Sequence, residues 1–92
     1  MMKKTKTRSD RIEKARAVLT EAEAGDRGGQ AWFAEQVARI DGTLVGKAIV
    51  HRFYQEEGSM SDVARTRLDN VLIVLEEEAR DLLRDRVKNF DR

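Results

Sequence analysis

Cysteine and proline are missing from this sequence of 92 residues, and aromatic residues make up only 5% of it. The absence of cysteine excludes disulfide bonds, thiolate catalysis and the common zinc sites, and it suits a reducing compartment, so we expect the cytoplasm. No run approaches the roughly 18 apolar residues that a membrane helix needs, and residues 1–16 lack the apolar stretch of a signal peptide. We therefore expect no membrane partner.

Residues that could carry catalysis are equally scarce. His51 is the only histidine, so neither the usual metal cluster nor a nucleophilic triad can be assembled with any specificity. The three consecutive glutamates at 76–78 point in different directions on a helix and cannot converge on one ion. The glycine-rich stretch at 25–29 has neither the spacing nor the preceding strand of a nucleotide-binding loop. We expect no enzyme, no metal and no cofactor.

What the sequence does contain is charge, unevenly distributed. Charged residues make up 38% of the chain and apolar residues 40%, which is typical of amphipathic helices with charged outer faces. Residues 1–16 hold seven basic and two acidic residues, a net charge of +5, so the remainder carries −4. A basic arm attracts a phosphate backbone, although many short basic tails are merely solvated.

Clusters of glycine and serine divide the chain into helices and predict one all-α domain. We expect a flexible basic arm at 1–9, followed by helices at about 10–24, 30–40, 43–57 and 60–90. Ser9, Thr43 or Asp41, and Ser59 are the expected N-caps of the first, third and fourth helices, and Gly25 the stop of the first. The second helix carries Trp32 and Phe33 and is expected to lie at the centre of the core.

The last predicted helix is longer than a domain of this size is wide, since 30 residues span about 45 Å. Its apolar residues alternate by three and four, as in a coiled coil. We expect its distal half to pair with a second copy, because an apolar seam would otherwise be exposed. The alternative is a hairpin near Asp81 that covers the chain's own core. The expected dimerisation residues are Leu75, Ala79, Leu82, Leu83, Val87 and Phe90.

The segment WFAEQVARIDGTLVGKAIVHRF, residues 32–53, resembles the helix-turn-helix of phage and bacterial repressors of the Cro and lambda-repressor kind. The opening Phe-Ala-Glu at 33–35 matches the first helix of that family, and Val37 and Ile40 match the core positions around the turn. Residues 45–49 match the start of the recognition helix, with one extra residue in the turn. Such a pair presents the N-terminal residues of its second helix to the major groove.

The resemblance implies contacts to double-stranded DNA. Lys47 would contact guanine or phosphate, Thr43 a phosphate or base edge, and Gly46 would allow close approach, although a packing contact would explain that glycine equally well. Val50 and His51 would share the outward face. The expected contacts to the DNA backbone come from Arg39, Arg52 and the arm residues Lys3, Lys4, Lys6 and Arg8.

Together these features predict a small homodimeric, phage-like DNA-binding regulator of transcription. The alternative is a protein-interaction module, such as an antitoxin, an anti-repressor or an assembly adaptor, that uses the long C-terminal helix on a different protein. RNA binding through the arm would use the same positive charge as DNA binding, but the sequence lacks the exposed aromatic residues that usually stack on single-stranded bases.

Overall fold

The computed structural model describes residues 7–21, 29–55 and 60–90, without the side chains of 88–90. Four helices follow in order: α1 (Arg8–Thr20), α2 (Gly29–Asp41), α3 (Lys47–Gln55) and α4 (Asp62–Phe90). No strand occurs in these ranges. The prediction of a small all-α domain with a long C-terminal helix is confirmed.

The first helix begins and ends earlier than predicted. The Thr7 hydroxyl accepts a hydrogen bond from the Asp10 amide at 3.1 Å, so Thr7 and not Ser9 is the N-cap. The helix ends at Thr20, and Glu21 adopts the left-handed conformation with φ 58°. The predicted stop at Gly25 was therefore wrong, and Gly25 itself lies outside the described residues.

The connection between α2 and α3 spans residues 42–46 and is not helical. Gly42 takes a positive φ of 78°, a conformation that favours glycine. Thr43 was predicted to cap a helix starting at about 43, but its hydroxyl donates to the Asp41 carboxylate and α3 starts at Lys47. The prediction that this helix runs to about 57 extends past Gln55 into residues that the structure leaves undescribed.

The long helix α4 is continuous over 29 residues, about 43 Å, so the hairpin alternative near Asp81 was wrong. The Ser61 hydroxyl accepts a hydrogen bond from the Ala64 amide at 3.2 Å and caps its first turn. The predicted cap Ser59 lies outside the described residues.

The core lies where α1, α2 and α4 meet, and α3 packs against α1 and α2. Phe33 from α2 and Phe53 from α3 are fully buried and stack with ring centroids 5.5 Å apart, which fixes α3 against α2. Trp32, on the predicted apolar face of α2, is only partly buried. One stripe of α4 faces this core, and we call it the inner stripe: Leu68, Val71, Leu72, Leu75 and Ala79.

Ion pairs join α1 to α4 along their length. Arg8 pairs with Asp69 at 2.9 Å, Arg11 with Glu76 at 2.6 Å and Glu21, just past the helix, with Arg86 at 2.8 Å. The pairs follow the same order along both chain segments, so α1 and α4 run in the same direction.

Candidate nucleic-acid interface

The outward face of α3 is the part of the predicted interface that the structure brings together. Val50 and Phe53 anchor the opposite side of this nine-residue helix in the core. The helix contains no acidic residue. Its exposed face is formed by Lys47, Ala48, His51, Arg52 and Gln55.

The two cations of this face are not neutralised by the rest of the described chain. Neither Lys47 nor Arg52 forms an ion pair with a described residue. His51 Nδ1 lies 3.3 Å from the Gln30 side-chain nitrogen. Which ring nitrogen of His51 donates and which accepts depends on the tautomer of the imidazole. The face therefore offers donors and positive charge, which phosphate and base-edge acceptors require.

Val50 does not belong to this face. It is 1% exposed and packs in the core, so its predicted place on the outward side was wrong. The predicted outer face comprised residues 43, 46, 47, 50 and 51. The exposed face of α3 keeps Lys47 and His51 but includes Arg52 in place of Val50, so it is shifted by about one residue position.

Thr43 and Gly46 lie in the connection before α3 and not on a recognition helix. A Cβ added to Gly46 would meet nothing within 4 Å, and the φ of this residue is not in the left-handed region. Neither packing within the described chain nor backbone conformation therefore demands glycine at this position.

Two of the predicted DNA-contacting arginines have partners inside the protein. Arg8 donates two hydrogen bonds to the Asp69 carboxylate, from Nε at 2.9 Å and from Nη2 at 3.1 Å. The carbon at the centre of its guanidinium lies 4.8 Å from the centre of the Phe53 ring. Arg39 makes a similar two-point contact with Glu78, at 2.6 and 3.2 Å, and this hydrogen bonding raises the pKa of Arg39. These arginines hold helices together, which the prediction did not anticipate.

The arm residues Lys3, Lys4 and Lys6 lie outside the described residues. The first described residue is Thr7, and the guanidinium of the next residue, Arg8, lies against Phe53 on the buried side of α3. The contacts of the three lysines with DNA therefore stay predictions.

The predicted dimerisation residues separate into buried and exposed sets. Leu75 is fully buried and Ala79 is 7% exposed, so both pack inside the chain and are not available to a partner. Leu82 is half-buried, whereas Leu83 and Val87 are 44% and 59% exposed. The side chain of Phe90 lies outside the described part of the chain.

Sequence reasoning missed Leu44, which is 91% exposed in the α2–α3 connection. An apolar residue two positions after Gly42 is expected to belong to the core face of the following helix. Leu44 is exposed instead, because α3 starts only at Lys47. The Glu76–Glu78 run does point in different directions, because Glu76 pairs with Arg11 and Glu78 with Arg39.

Neither a metal site nor a membrane span is found in the described ranges. There, no three His, Asp or Glu side chains are close enough to hold an ion, and no helix is both long and apolar enough to cross a bilayer. Comparison with known proteins gave no match to a family, to a curated protein or to a solved structure.

Proposed function

We propose that this protein is a DNA-binding regulator of transcription that acts in the cytoplasm as a homodimer and binds the duplex through the exposed face of α3. The observation that carries the proposal is the pair Lys47 and Arg52, exposed on a helix without acidic residues and without an ion pair to the described chain. Cations that are free of internal partners can release counterions from DNA without first breaking a salt bridge.

We propose that the basic arm makes a second contact with the same duplex. The lysines at 3, 4 and 6 precede α1 in the sequence and add three positive charges. A short basic segment can follow phosphates or enter an adjacent minor groove.

Phe33 and Phe53 pack α2 against α3, and the connection of residues 42–46 between the two helices is longer than the usual helix-turn-helix turn of three to four residues. The resemblance to phage repressors therefore stays a resemblance of sequence. We propose that α3 enters the major groove, with Lys47 and His51 nearest the bases and Arg52 on a phosphate.

The test is fluorescence anisotropy of labelled mixed-sequence duplex over a salt series. The double variant Lys47→Ala/Arg52→Ala should bind about tenfold or more weakly, and the slope of its log affinity against log salt should be shallower by about 4, because the dimer loses two cations from each protomer. Each single variant should lower the slope by about half of that. Lys14→Ala is the matched control, because it removes one exposed cation from α1. Equal losses from Lys14→Ala and Lys47→Ala, or no duplex binding at about 50 mM salt, would refute the proposal.

The second candidate is a protein-interaction module, and the exposure of Leu83 and Val87 favours it. In that case the protein would form a stable complex with a different protein and would bind no duplex at low salt. Leu83→Ser should then abolish the complex, while Lys47→Ala leaves it intact.

A further inference from the structure

A second regular stripe runs along α4 on the side that faces away from the core. Its spacing of four, three, four and three residues is that of a coiled-coil seam. All its members are exposed, and the two apolar ones, Ile73 and Val87, are 46% and 59% exposed at its ends. We call this the outer stripe: Ile73, Glu77, Arg80, Arg84 and Val87.

The charges in the middle of the outer stripe are poorly matched within the chain. Glu77 and Arg80 form no ion pair with a described residue, and Arg84 only approaches Asp81, at 3.8 Å. By contrast, the neighbouring charges Glu76 and Arg86 on other sides of α4 reach partners on or next to α1 at 2.6 and 2.8 Å. The outer stripe thus has an acidic residue, then two basic residues, between two apolar ends.

This order is complementary to itself when it is reversed. If a second α4 lies antiparallel with a twofold axis near Arg80, then Ile73 faces the partner's Val87. Glu77 then lies between the partner's Arg80 and the partner's Arg84, in the hole that residues spaced by three and four form on a facing helix. The two copies of Arg80 meet at the axis, where Glu77 and the partner's Glu77 flank them and offset their repulsion. A parallel pairing would instead set each of the three charged residues against its own copy, with no opposite charge facing any of them, which is repulsive.

We infer that a second copy of this chain docks antiparallel on the outer stripe. The inference rests on the homodimer in the proposed function and specifies its surface, but it does not depend on DNA. It replaces the predicted seam, since Leu75 and Ala79 are occupied by the chain's own core. Leu83, exposed beside Arg84 and Val87, is covered by the partner as well.

Charge reversal tests the pairing. By light scattering over a concentration series, the wild-type chain should be a dimer, and both Glu77→Arg and Arg80→Glu/Arg84→Glu should raise the dissociation constant about tenfold or more. The triple variant with all three reversals should return to within about threefold of wild type. Circular dichroism should show unchanged helix content, because every substituted residue is exposed. A wild-type monomer, or a triple variant no better than the single, would overturn the inference.

Direction is tested by crosslinking, because the chain has no cysteine of its own. Under oxidation Arg80→Cys should form a disulfide-linked dimer, and a mixture of Ile73→Cys with Val87→Cys should crosslink heterotypically. Val87→Cys alone should not. Arg80 faces its own copy in either direction, so Val87→Cys decides: its self-crosslinking, without a heterotypic product from the Ile73→Cys and Val87→Cys mixture, would show parallel pairing and overturn the inference. If the dimer crosslinks as expected but does not bind duplex DNA, only the DNA-binding proposal is refuted. If the protein binds DNA as a monomer, only the dimer inference is refuted.

Discussion

On α1, Arg8 and Arg11 each donate two hydrogen bonds to one carboxylate of α4, whereas Lys47 and Arg52 on α3 have no ion-pair partner among the described residues. Both helices are basic in sequence. Arg8 and Arg11 attach α1 to α4, whereas Lys47 and Arg52 form no ion pair within the described chain, as the proposed DNA contact requires. A local excess of basic residues therefore does not by itself indicate a nucleic-acid surface, because the internal ion pairs of each cation must be considered as well.

Among substitutions that distinguish the cations of α1 from those of α3, Arg8→Ala should have the largest effect on the free energy of unfolding. This change removes a two-point ion pair and a cation–π contact, and it leaves the Asp69 carboxylate, whose side chain is 34% exposed, without its partner. We expect the free energy of unfolding to fall by about 2 kcal/mol. Urea unfolding followed by circular dichroism measures it.

Arg52→Ala is the matched control from α3, and its free energy of unfolding should stay within about 0.5 kcal/mol of wild type. Equal destabilisation by the two substitutions would contradict the distinction between the cations of α1 that pair with α4 and the cations of α3 that form no ion pair in the described chain. Loss of duplex affinity from Arg8→Ala under conditions where the variant is fully folded would place Arg8 in the DNA surface after all.

A smaller effect is expected at Arg39, whose ion pair with Glu78 is at the surface, with the two side chains 51% and 36% exposed. Such pairs contribute at most about 1 kcal/mol. A double-mutant cycle of Arg39→Ala and Glu78→Ala should give a coupling energy of about 0.5 kcal/mol that shrinks as salt is added. A coupling energy larger than that of the more buried Arg8–Asp69 pair would contradict the expectation that the more buried pair contributes more to stability.

The presence of four helices was predictable, because apolar periodicity and glycine clusters are local signals. The helix ends were less so: Thr7 and Ser9 are both acceptable caps, and only the fold selects Thr7. The ion-pair partner of Arg8 could not be predicted from its sequence neighbours, because Asp69 is 61 residues away. The face of α3 was misaligned for the same kind of reason, because burial of Val50 depends on the arrangement of four helices and not on its neighbours in sequence.

The smallest expected effect concerns the contact of α3 with α1, where one polar group is not matched. The Tyr54 hydroxyl is buried and has no hydrogen-bond partner among the described residues. Burial, with the nearby Glu13 carboxylate, raises the pKa of Tyr54 above its ordinary value of 10.0. Below that pH both the folded and the unfolded chain keep the phenol proton. Above it the unfolded chain loses the proton first, so the free energy of unfolding falls as the pH rises.

Tyr54→Phe should remove this alkaline loss. Near neutral pH the variant should be as stable as wild type or about 0.3 kcal/mol more stable, because no hydrogen bond is lost and a desolvated hydroxyl disappears. Between about pH 9 and 11 its unfolding free energy should fall less steeply, and lysine titration, common to both proteins, cancels in the comparison. Since Tyr54 is the only tyrosine, phenolate absorbance reports its ionisation directly. Ionisation at the ordinary pKa in the folded protein would mean that the hydroxyl reaches water, and the two stability curves would then run parallel.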